Sequence, residues 1–117
     1  MQKSARKSAT LNLNTQFTRA YKSGNSCVKP TLVLYARQNN LKKNRLGITV
    51  SKKIGKAHIR NRAKRRLREV FRTNCHQLKT GFDFVLVARG RTAGVPFSQI
   101  TDDFLAACRF VGVFKDE

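Results

Sequence analysis

Hydrophobic and polar residues alternate in two neighbouring stretches of the chain, residues 32–37 (LVLYAR) and 45–50 (RLGITV). Alternation of this kind is typical of a strand with one face on a core and a more polar opposite face. Because only a short polar turn separates the two stretches, we predict that they pair as antiparallel neighbours. The run 82–88 (FDFVLVA) is apolar at most positions, as expected of a strand covered on both faces. Near Cys27, ahead of Pro30, the sequence allows a short edge strand.

Three further segments carry the signals of helices. Asn14 or Thr15 can cap a short helix that runs to about Lys22. A long helix is predicted from about residue 58 to residue 78, because apolar side chains recur there at helical spacing. Ser98 can cap a last helix, which carries its own apolar stripe.

These elements and their short connections predict an α+β fold. We expect a small, mainly antiparallel sheet of about four strands packed with three helices as a two-layer sandwich, in the order αβββαβα. Residues 1–13 are polar and basic, which favours a mobile N-terminal segment. Residues 14–117 are expected to form a single domain, since 117 residues suffice for one core and not for two.

Charge is distributed unevenly along the chain. The formal net charge is +19, yet residues 1–68 hold nineteen Lys and Arg and no acid, whereas residues 69–117 hold six of each sign. Such a concentration of one sign predicts a polyanionic partner. Nucleic acid, an anionic membrane and an acidic protein all satisfy this condition. A membrane is disfavoured because the chain has no long apolar run and no signal-peptide core.

The three cysteines are widely spaced and include no C-x-x-C pair. Neither a zinc site nor a disulfide framework is indicated for Cys27, Cys75 and Cys108. We expect small buried thiols in a reducing cytoplasm.

The long helix carries the densest charge, in the stretch Arg60–Glu69 (RNRAKRRLRE). On a helical wheel, the residues at 61, 65, 68 and 72 lie opposite the apolar face, and like charges recur at i,i+4. A solvated helix face normally mixes the two signs, so this pattern predicts a face that binds anions. The preceding loop lacks the phosphate-loop motif of nucleotide hydrolases. Its lysines can still hold a backbone phosphate at the start of the helix.

The aromatic residues allow two interpretations. Phe17 and Tyr21 share a helix face and are most simply part of the core. Tyr35, however, shares the outward face of its strand with Val33 and Arg37. An aromatic ring beside arginine on an open sheet is typical of single-stranded nucleic-acid binding, and the three rings can line one groove.

No catalytic centre is indicated in the chain itself. His58 and His76, if both lie on the long helix, are separated by eighteen residues or about 27 Å, too far to act on one phosphate. Asp102 and Asp103 adjoin each other and are interpreted as charges near the positive end of the last helix. We therefore predict neither a catalytic residue nor a metal site, which disfavours a self-contained nuclease.

Two blocks of sequence resemble the bacterial ribonuclease P protein component. They are residues 45–57 (RLGITVSKKIGKA) and the following Arg60-Asn61-Arg62 with Lys64-Arg65. The resemblance extends over nearly the whole chain. It includes the aromatic residues at positions 17, 21 and 35 and the late strand FVLVAR.

The resemblance implies the small protein subunit of a ribonucleoprotein that removes the 5′ leader from precursor tRNA. In that family the large RNA subunit carries the catalysis and uses Mg²⁺. The implied partners are ribonuclease P RNA and precursor tRNA, without a membrane or a small-molecule substrate. A left-handed β-α-β crossover is also implied, against the usual hand. A ribosomal or general structural RNA-binding protein remains the alternative.

Correspondence with the family also implies two sets of RNA-binding residues, and Arg66 adds charge beyond the family motif. The leader-binding cleft would be lined by Phe17, Tyr21, Val33, Tyr35, Arg37 and Thr49. The side that faces the catalytic RNA or the cleavage site would comprise Lys52, Lys53, Lys56, Arg60, Asn61, Arg62, Lys64, Arg65 and Arg68.

Overall fold

A five-stranded mixed sheet organises the chain, which the computed structural model describes at residues 8–11 and 14–115. The strands are β1 (Ser8–Thr10), β2 (Asn25–Val28), β3 (Leu32–Gln38), β4 (Asn44–Thr49) and β5 (Phe82–Ala88). The helices are α1 (Asn14–Ser23), α2 (Ala57–Asn74) and α3 (Phe97–Val111). The strands lie in the order β1-β4-β5-β3-β2, and the α+β class with three helices is confirmed.

Strand β5 occupies the centre of the sheet. It pairs antiparallel with β3 over seven residue pairs and parallel with β4 over five. The outer pairs are β2–β3, antiparallel over four pairs, and β1–β4, parallel over three. The prediction that residues 32–37 and 45–50 are direct neighbours is wrong, because β5 lies between them. The side chains of the apolar strand β5 must be buried on both faces of the sheet, and a central position in the sheet allows this.

The connection β4-α2-β5 joins two parallel neighbours, as the family resemblance implies. The left hand of this crossover stays a prediction.

Strand β1 lies in the segment that the sequence analysis treated as mobile. Ser8–Thr10 pair with Asn44–Leu46 of β4, and the Leu11 N–H donates to the Leu46 carbonyl at 2.9 Å. Leu11 is buried. A three-residue polar strand has no periodic pattern, which explains why it was missed. The rest of the predicted mobile segment, residues 1–7, 12 and 13, lies outside the described residues.

The main core fills the space between the sheet and helices α2 and α3. Leu34 of β3 and Phe84 of β5 meet Leu67 of α2 and Phe104 of α3, and all four are fully buried. Helix α2 ends at Asn74, not at residue 78 as predicted. A 3-10 turn over Cys75–Gln77 follows it and carries the chain on.

Helix α1 packs on the opposite face of the sheet, where Leu11, Ala20 and Val85 form a second buried cluster. The predicted two layers are therefore extended by a short third layer. The alternation of β3 predicted this second face, and the groove predicted for Phe17, Tyr21 and Tyr35 requires α1 to lie on it.

Helix α3 begins at Phe97, after Pro96, and no side chain caps it. The predicted cap at Ser98 is therefore wrong. Asp103 accepts hydrogen bonds from the Thr31 N–H at 3.1 Å and the Thr31 hydroxyl at 2.8 Å. This carboxylate holds α3 to the start of β3, a role that its position in the helix did not indicate.

A buried ion pair connects the two parallel strands β4 and β5. The guanidinium of Arg45 donates from Nε to Asp83 Oδ1 at 2.7 Å and from Nη2 to Oδ2 at 2.8 Å. Asn39 donates to the same carboxylate at 2.9 Å. The side chain of Asp83 is 1% exposed and that of Arg45 is 20% exposed, and this hydrogen bond raises the pKa of Arg45.

All three cysteines are free thiols. Cys75 and Cys108 are buried, and burial raises the pKa of the Cys108 thiol to about 12. Cys27 is half-buried at the edge of the same core. The prediction of small apolar thiols therefore agrees with the structure at the two buried positions.

The change Asp83→Asn should destabilise the fold by about 3 kcal/mol, because it leaves a mostly buried arginine without a charged partner. Urea unfolding measures the change. The matched control is Glu69→Gln, which removes the carboxylate of the exposed Glu69–Arg72 pair and should leave the urea midpoint unchanged. Equal midpoints for Asp83→Asn and the wild type would contradict this account.

Candidate nucleic-acid interface

Helix α2 separates its charged residues from its apolar residues as the helical wheel predicts. Ala63, Leu67, Val70 and Phe71 are buried against the sheet, and Ile59 is half-buried. Five of the predicted RNA-side residues on this helix are exposed: Asn61, Arg62, Lys64, Arg65 and Arg68. Within the described parts of the chain, the Glu69–Arg72 contact is the one ion pair on this helix.

The loop before α2 adds three exposed lysines, Lys52, Lys53 and Lys56. A 3-10 turn runs from Lys52 to Ile54, and Gly55 follows with a φ of 148°, a value that L side chains rarely adopt. This turn directs the chain into α2. No side chain caps the N-terminus of α2. Uncapped N–H groups and flanking lysines form a local environment that favours anions.

A cavity of about 490 Å³ lies where the end of β4 meets the first turns of α2. Arg60 lines this cavity with Asn61 and Lys64 on one side and Thr49 and Val50 on the other. Arg60 is half-buried, and its Nε has no hydrogen-bond partner among the described residues although the atom is buried. An unsatisfied buried donor costs about 1–3 kcal/mol.

The three predicted aromatic residues converge between α1 and the sheet. The ring centroids of Tyr21 and Tyr35 lie 4.8 Å apart in an edge-to-face arrangement, and those of Phe17 and Tyr21 lie 6.4 Å apart. The Tyr21 and Thr49 hydroxyls are hydrogen-bonded at 2.9 Å, which connects α1 to β4. Tyr21 is 40% exposed, so this ring is partly open to solvent.

An open cavity of about 530 Å³ lies beside these rings. Phe17, Tyr21 and Thr49 line it together with Asn14 and Thr18, two residues that the sequence analysis did not include. Both lie on α1 near Phe17. Their helical spacing from Phe17 and Tyr21 is the signal that would have indicated them.

Gly47 of β4 determines where Phe17 can lie. A Cβ atom at position 47 would stand 2.6 Å from the Phe17 ring, well inside van der Waals contact. Glycine therefore permits the close approach of α1 to the sheet that brings the Phe17 ring over β4.

The structure places Val33 and Arg37 on the same sheet face but outside this opening. Val33 is half-buried next to Tyr35 in the alternation of β3. The Arg37 Nε donates to the Ser23 hydroxyl at 2.9 Å, at the C-terminal end of α1. Arg37 therefore borders the cleft and does not line the cavity beside Phe17.

A third cavity joins the aromatic cleft to the basic helix. Its volume is about 200 Å³, and its lining includes Phe17 of α1 and both Lys64 and Arg68 of α2. Thr49 lines the cleft and also the cavity at Arg60. Through these shared residues, three adjoining cavities run from the aromatic cleft past β4 to the first turns of α2.

Arg66 has a role that differs from the sequence prediction of added surface charge. Its guanidinium donates to the carbonyl oxygens of Thr92 at 2.8 Å and Val95 at 2.6 Å, and lies 6.0 Å from the Phe97 ring centroid. Burial, and then the nearby charge of Arg62, lower the pKa of Arg66. Arg66 holds the loop between β5 and α3 against α2.

Residues 8–11 and 14–115 contain neither a cluster of metal ligands nor a membrane-spanning helix. No three His, Cys, Asp or Glu side chains in these ranges are grouped so that they could hold a metal ion. No helix there has both the length and the apolarity needed to cross a membrane.

A basic, acid-poor helix face beside a cleft lined by aromatic rings is the combination expected of an RNA-binding domain. The family model for ribonuclease P matches residues 5–111 of the chain. The chain belongs to the ribonuclease P protein family, which confirms the resemblance. This membership supports the protein subunit of ribonuclease P over the ribosomal alternative.

Individual relatives and structures agree with this assignment. The chain is 42% identical over 92 residues to the "Ribonuclease P protein component" of Thermoanaerobacter sp. (strain X514), covering 79% of each protein. It is 45% identical over 91 residues to that of Clostridium acetobutylicum, covering 76% of each. The solved RNase P protein of Staphylococcus aureus matches with a TM-score of 0.79 and 32% identity, over 91% of this chain and 97% of that one. The Thermotoga maritima protein matches with a TM-score of 0.74 and 35% identity, over 83% and 92%.

The change Gly47→Ala should displace the Phe17 ring and weaken binding of single-stranded RNA to the aromatic cleft by roughly tenfold, the equivalent of about one lost stacking contact. Fluorescence anisotropy with a short labelled RNA oligonucleotide measures this change. Gly94→Ala is the matched control, because no atom lies within 4 Å of a Cβ placed there. Equal affinities of the two variants would show that the position of Phe17 is not important for binding.

Proposed function

We propose that this chain binds ribonuclease P RNA through α2 and its preceding loop while it holds the 5′ leader of precursor tRNA in the aromatic cleft. In this assignment residues 14–117, together with strand β1 and Leu11, act as one RNA-binding domain in the cytoplasm. The RNA subunit carries out the cleavage that forms the mature 5′ end. The protein supplies binding and orientation.

The proposal rests on one observation, the continuity between the aromatic cleft and the cavity at the start of α2. Thr49 borders both the aromatic cleft and the cavity at Arg60, and Lys64 borders that cavity and the one that reaches Phe17. A leader in the cleft would therefore enter next to an RNA bound on α2. A general RNA-binding protein has no need of this adjacency.

Charge supports the assignment of α2 and its loop to RNA. The exposed cations of this surface outnumber the single exposed carboxylate of the helix, Glu69, which is already paired with Arg72. Phosphate oxygens can neutralise such a surface and release counterions from the RNA. A phosphate acceptor at the cavity would also satisfy the buried Nε of Arg60.

The aromatic cleft suits unpaired nucleotides better than a duplex. A base can stack on the exposed part of Tyr21, whose orientation is set by the hydrogen bond to Thr49 and by contact with Tyr35. Stacking is available to any base, which fits a leader of variable sequence. Arg37 at the border can contact the backbone as the strand leaves the cleft.

We assign the Mg²⁺ of the reaction to the RNA subunit. The described residues of this chain offer no group of three carboxylate, imidazole or thiol ligands for the ion. The protein's contribution would be to bring the leader and the RNA subunit together.

The test compares Tyr21→Ala with Tyr21→Phe in a holoenzyme reconstituted from the protein and a bacterial ribonuclease P RNA. Tyr21→Ala should weaken binding of precursor tRNA by about 1–3 kcal/mol, the contribution of one stacked base. Tyr21→Phe keeps the ring, loses the hydroxyl bond to Thr49 and should retain most of the affinity. Equilibrium binding of precursor and mature tRNA measures both effects.

Mature tRNA lacks the leader. Holoenzymes that contain the wild-type protein or either variant should therefore bind mature tRNA with the same affinity. If Tyr21→Ala weakens mature and precursor tRNA equally, the cleft does not hold the leader. Cleavage of precursor tRNA by the protein without the RNA subunit would reject the assignment of catalysis to RNA.

A further inference from the structure

The short strand β1 is a part of the fold that the family resemblance does not connect with RNA binding. It pairs with β4 over three residue pairs, and the Leu11 N–H extends this ladder to the Leu46 carbonyl at 2.9 Å. Thr10 is exposed, whereas Leu11 is buried. Leu11 therefore anchors β1 on the sheet.

Leu11 and Phe17 meet above Gly47 of β4. A Cβ atom at position 47 would stand 3.1 Å from Leu11 Cδ1 and 2.6 Å from Phe17 Cε1, so both side chains occupy the space that this glycine leaves free. Leu11 also belongs to the buried cluster against which the Phe17 and Tyr35 rings pack. The Leu11 side chain therefore supports the aromatic cleft from the β1 side.

Strand β1 also contributes to the wall of the cavity that joins the cleft to α2. Thr10 and Leu11 line this cavity of about 200 Å³ together with Phe17, and Arg68 lines it from α2. If β1 left the sheet, this cavity would widen and the Phe17 ring would lose Leu11 as a neighbour.

Other contacts hold α1 on the sheet independently of β1. The hydrogen bond between the Tyr21 and Thr49 hydroxyls and the bond from Arg37 to Ser23 connect the second half of this helix to β4 and β3. Ala20, in the same half, is fully buried. Loss of β1 should therefore free the Phe17 ring without releasing Tyr21.

Strand β1 is short enough to open locally. Three residue pairs at the edge of a sheet are typical of a segment with low local stability. While β1 is detached, the Phe17 ring can leave its position. The apparent affinity for a base stacked on that ring then falls with the fraction of molecules in which β1 is docked.

We propose that Leu11 is a positioning residue for the aromatic cleft, because it docks β1 on β4 and thereby holds the Phe17 ring where an unpaired base of the leader can stack. This inference rests on the proposed function. Leu11 itself makes no contact with RNA in this proposal, and its effect passes through Phe17. A residue that only stabilised the fold would act on every RNA alike and independently of Phe17.

The experiment is a double-mutant cycle with L11A, F17A and L11A/F17A in the reconstituted holoenzyme. F17A should weaken binding of precursor tRNA about tenfold, the equivalent of one lost stacking contact, and L11A about fivefold. In the F17A background, L11A should cause no further loss. All three variants should bind mature tRNA as the wild type does. Amide hydrogen exchange at residue 11, whose N–H donates to the Leu46 carbonyl, reports whether β1 is docked and should be faster in L11A.

The variant L11V keeps most of the apolar volume and should show smaller changes in both amide exchange and precursor affinity. It takes the place of L11A in the cycle if L11A does not fold. The matched control is L105A, which removes a half-buried leucine from α3 on the other face of the sheet. Its affinity for precursor tRNA should equal that of the wild type.

Wild-type affinity of L11A for the precursor would overturn this inference and leave the proposed function standing. Additive losses in L11A/F17A would also overturn it, because Leu11 would then act without Phe17. An equal loss for mature tRNA, or the same selective loss in L105A, would reduce the effect to general destabilisation and reject the positioning role. If the wild-type holoenzyme itself binds precursor and mature tRNA equally, the proposed function fails and this inference with it.

Discussion

Burial of β5 on both faces is the constraint that positions the rest of the molecule. Its centre is fully buried, with Phe84 and Leu86 towards α2 and α3 and Val85 towards α1. Strand β4 is the parallel neighbour of β5 on one side, so α2 must return the chain across the sheet between them. The end of β4 consequently lies between α1 and the start of α2. This arrangement, together with the small Gly47, brings the aromatic cleft and the basic helix to one edge of the sheet.

The charge distribution has a physical consequence for stability as well as for binding. The buried carboxylate of Asp83 forms an ion pair with Arg45, and Asp103 accepts two hydrogen bonds from Thr31. These two acidic residues therefore stabilise the fold and do not neutralise the basic helix. Most cations of α2 and its loop face solvent, and Glu69 is the one acidic residue among them. Their mutual repulsion opposes folding, and an RNA partner removes that repulsion. Binding to RNA should therefore also stabilise the protein.

Sequence patterns predicted which residues face solvent better than they predicted which elements touch. Helical periodicity correctly assigned the buried Ala63 and Leu67 and the exposed Arg65, because one helix determines its own faces. Strand alternation cannot identify a neighbour, so β3 and β4 were paired wrongly. The function of Arg66 depends on a loop twenty-six residues away, at Thr92, which no local pattern contains. Likewise, i,i+4 spacing placed Phe17 beside Tyr21, but only the crossing of α1 over the sheet brings Tyr21 to Thr49.

Photo-crosslinking from single positions tests the proposed continuous RNA surface most directly. A photoreactive phenylalanine analogue is placed at Tyr21, at Arg65 or at Asp102, which is exposed on α3 and lines none of the three cavities described above. The reconstituted holoenzyme is then irradiated with leader-labelled precursor tRNA. Position 21 should crosslink to the leader, position 65 to ribonuclease P RNA, and position 102 to neither. Crosslinks of equal yield from all three positions, or no leader crosslink from position 21, would contradict the account.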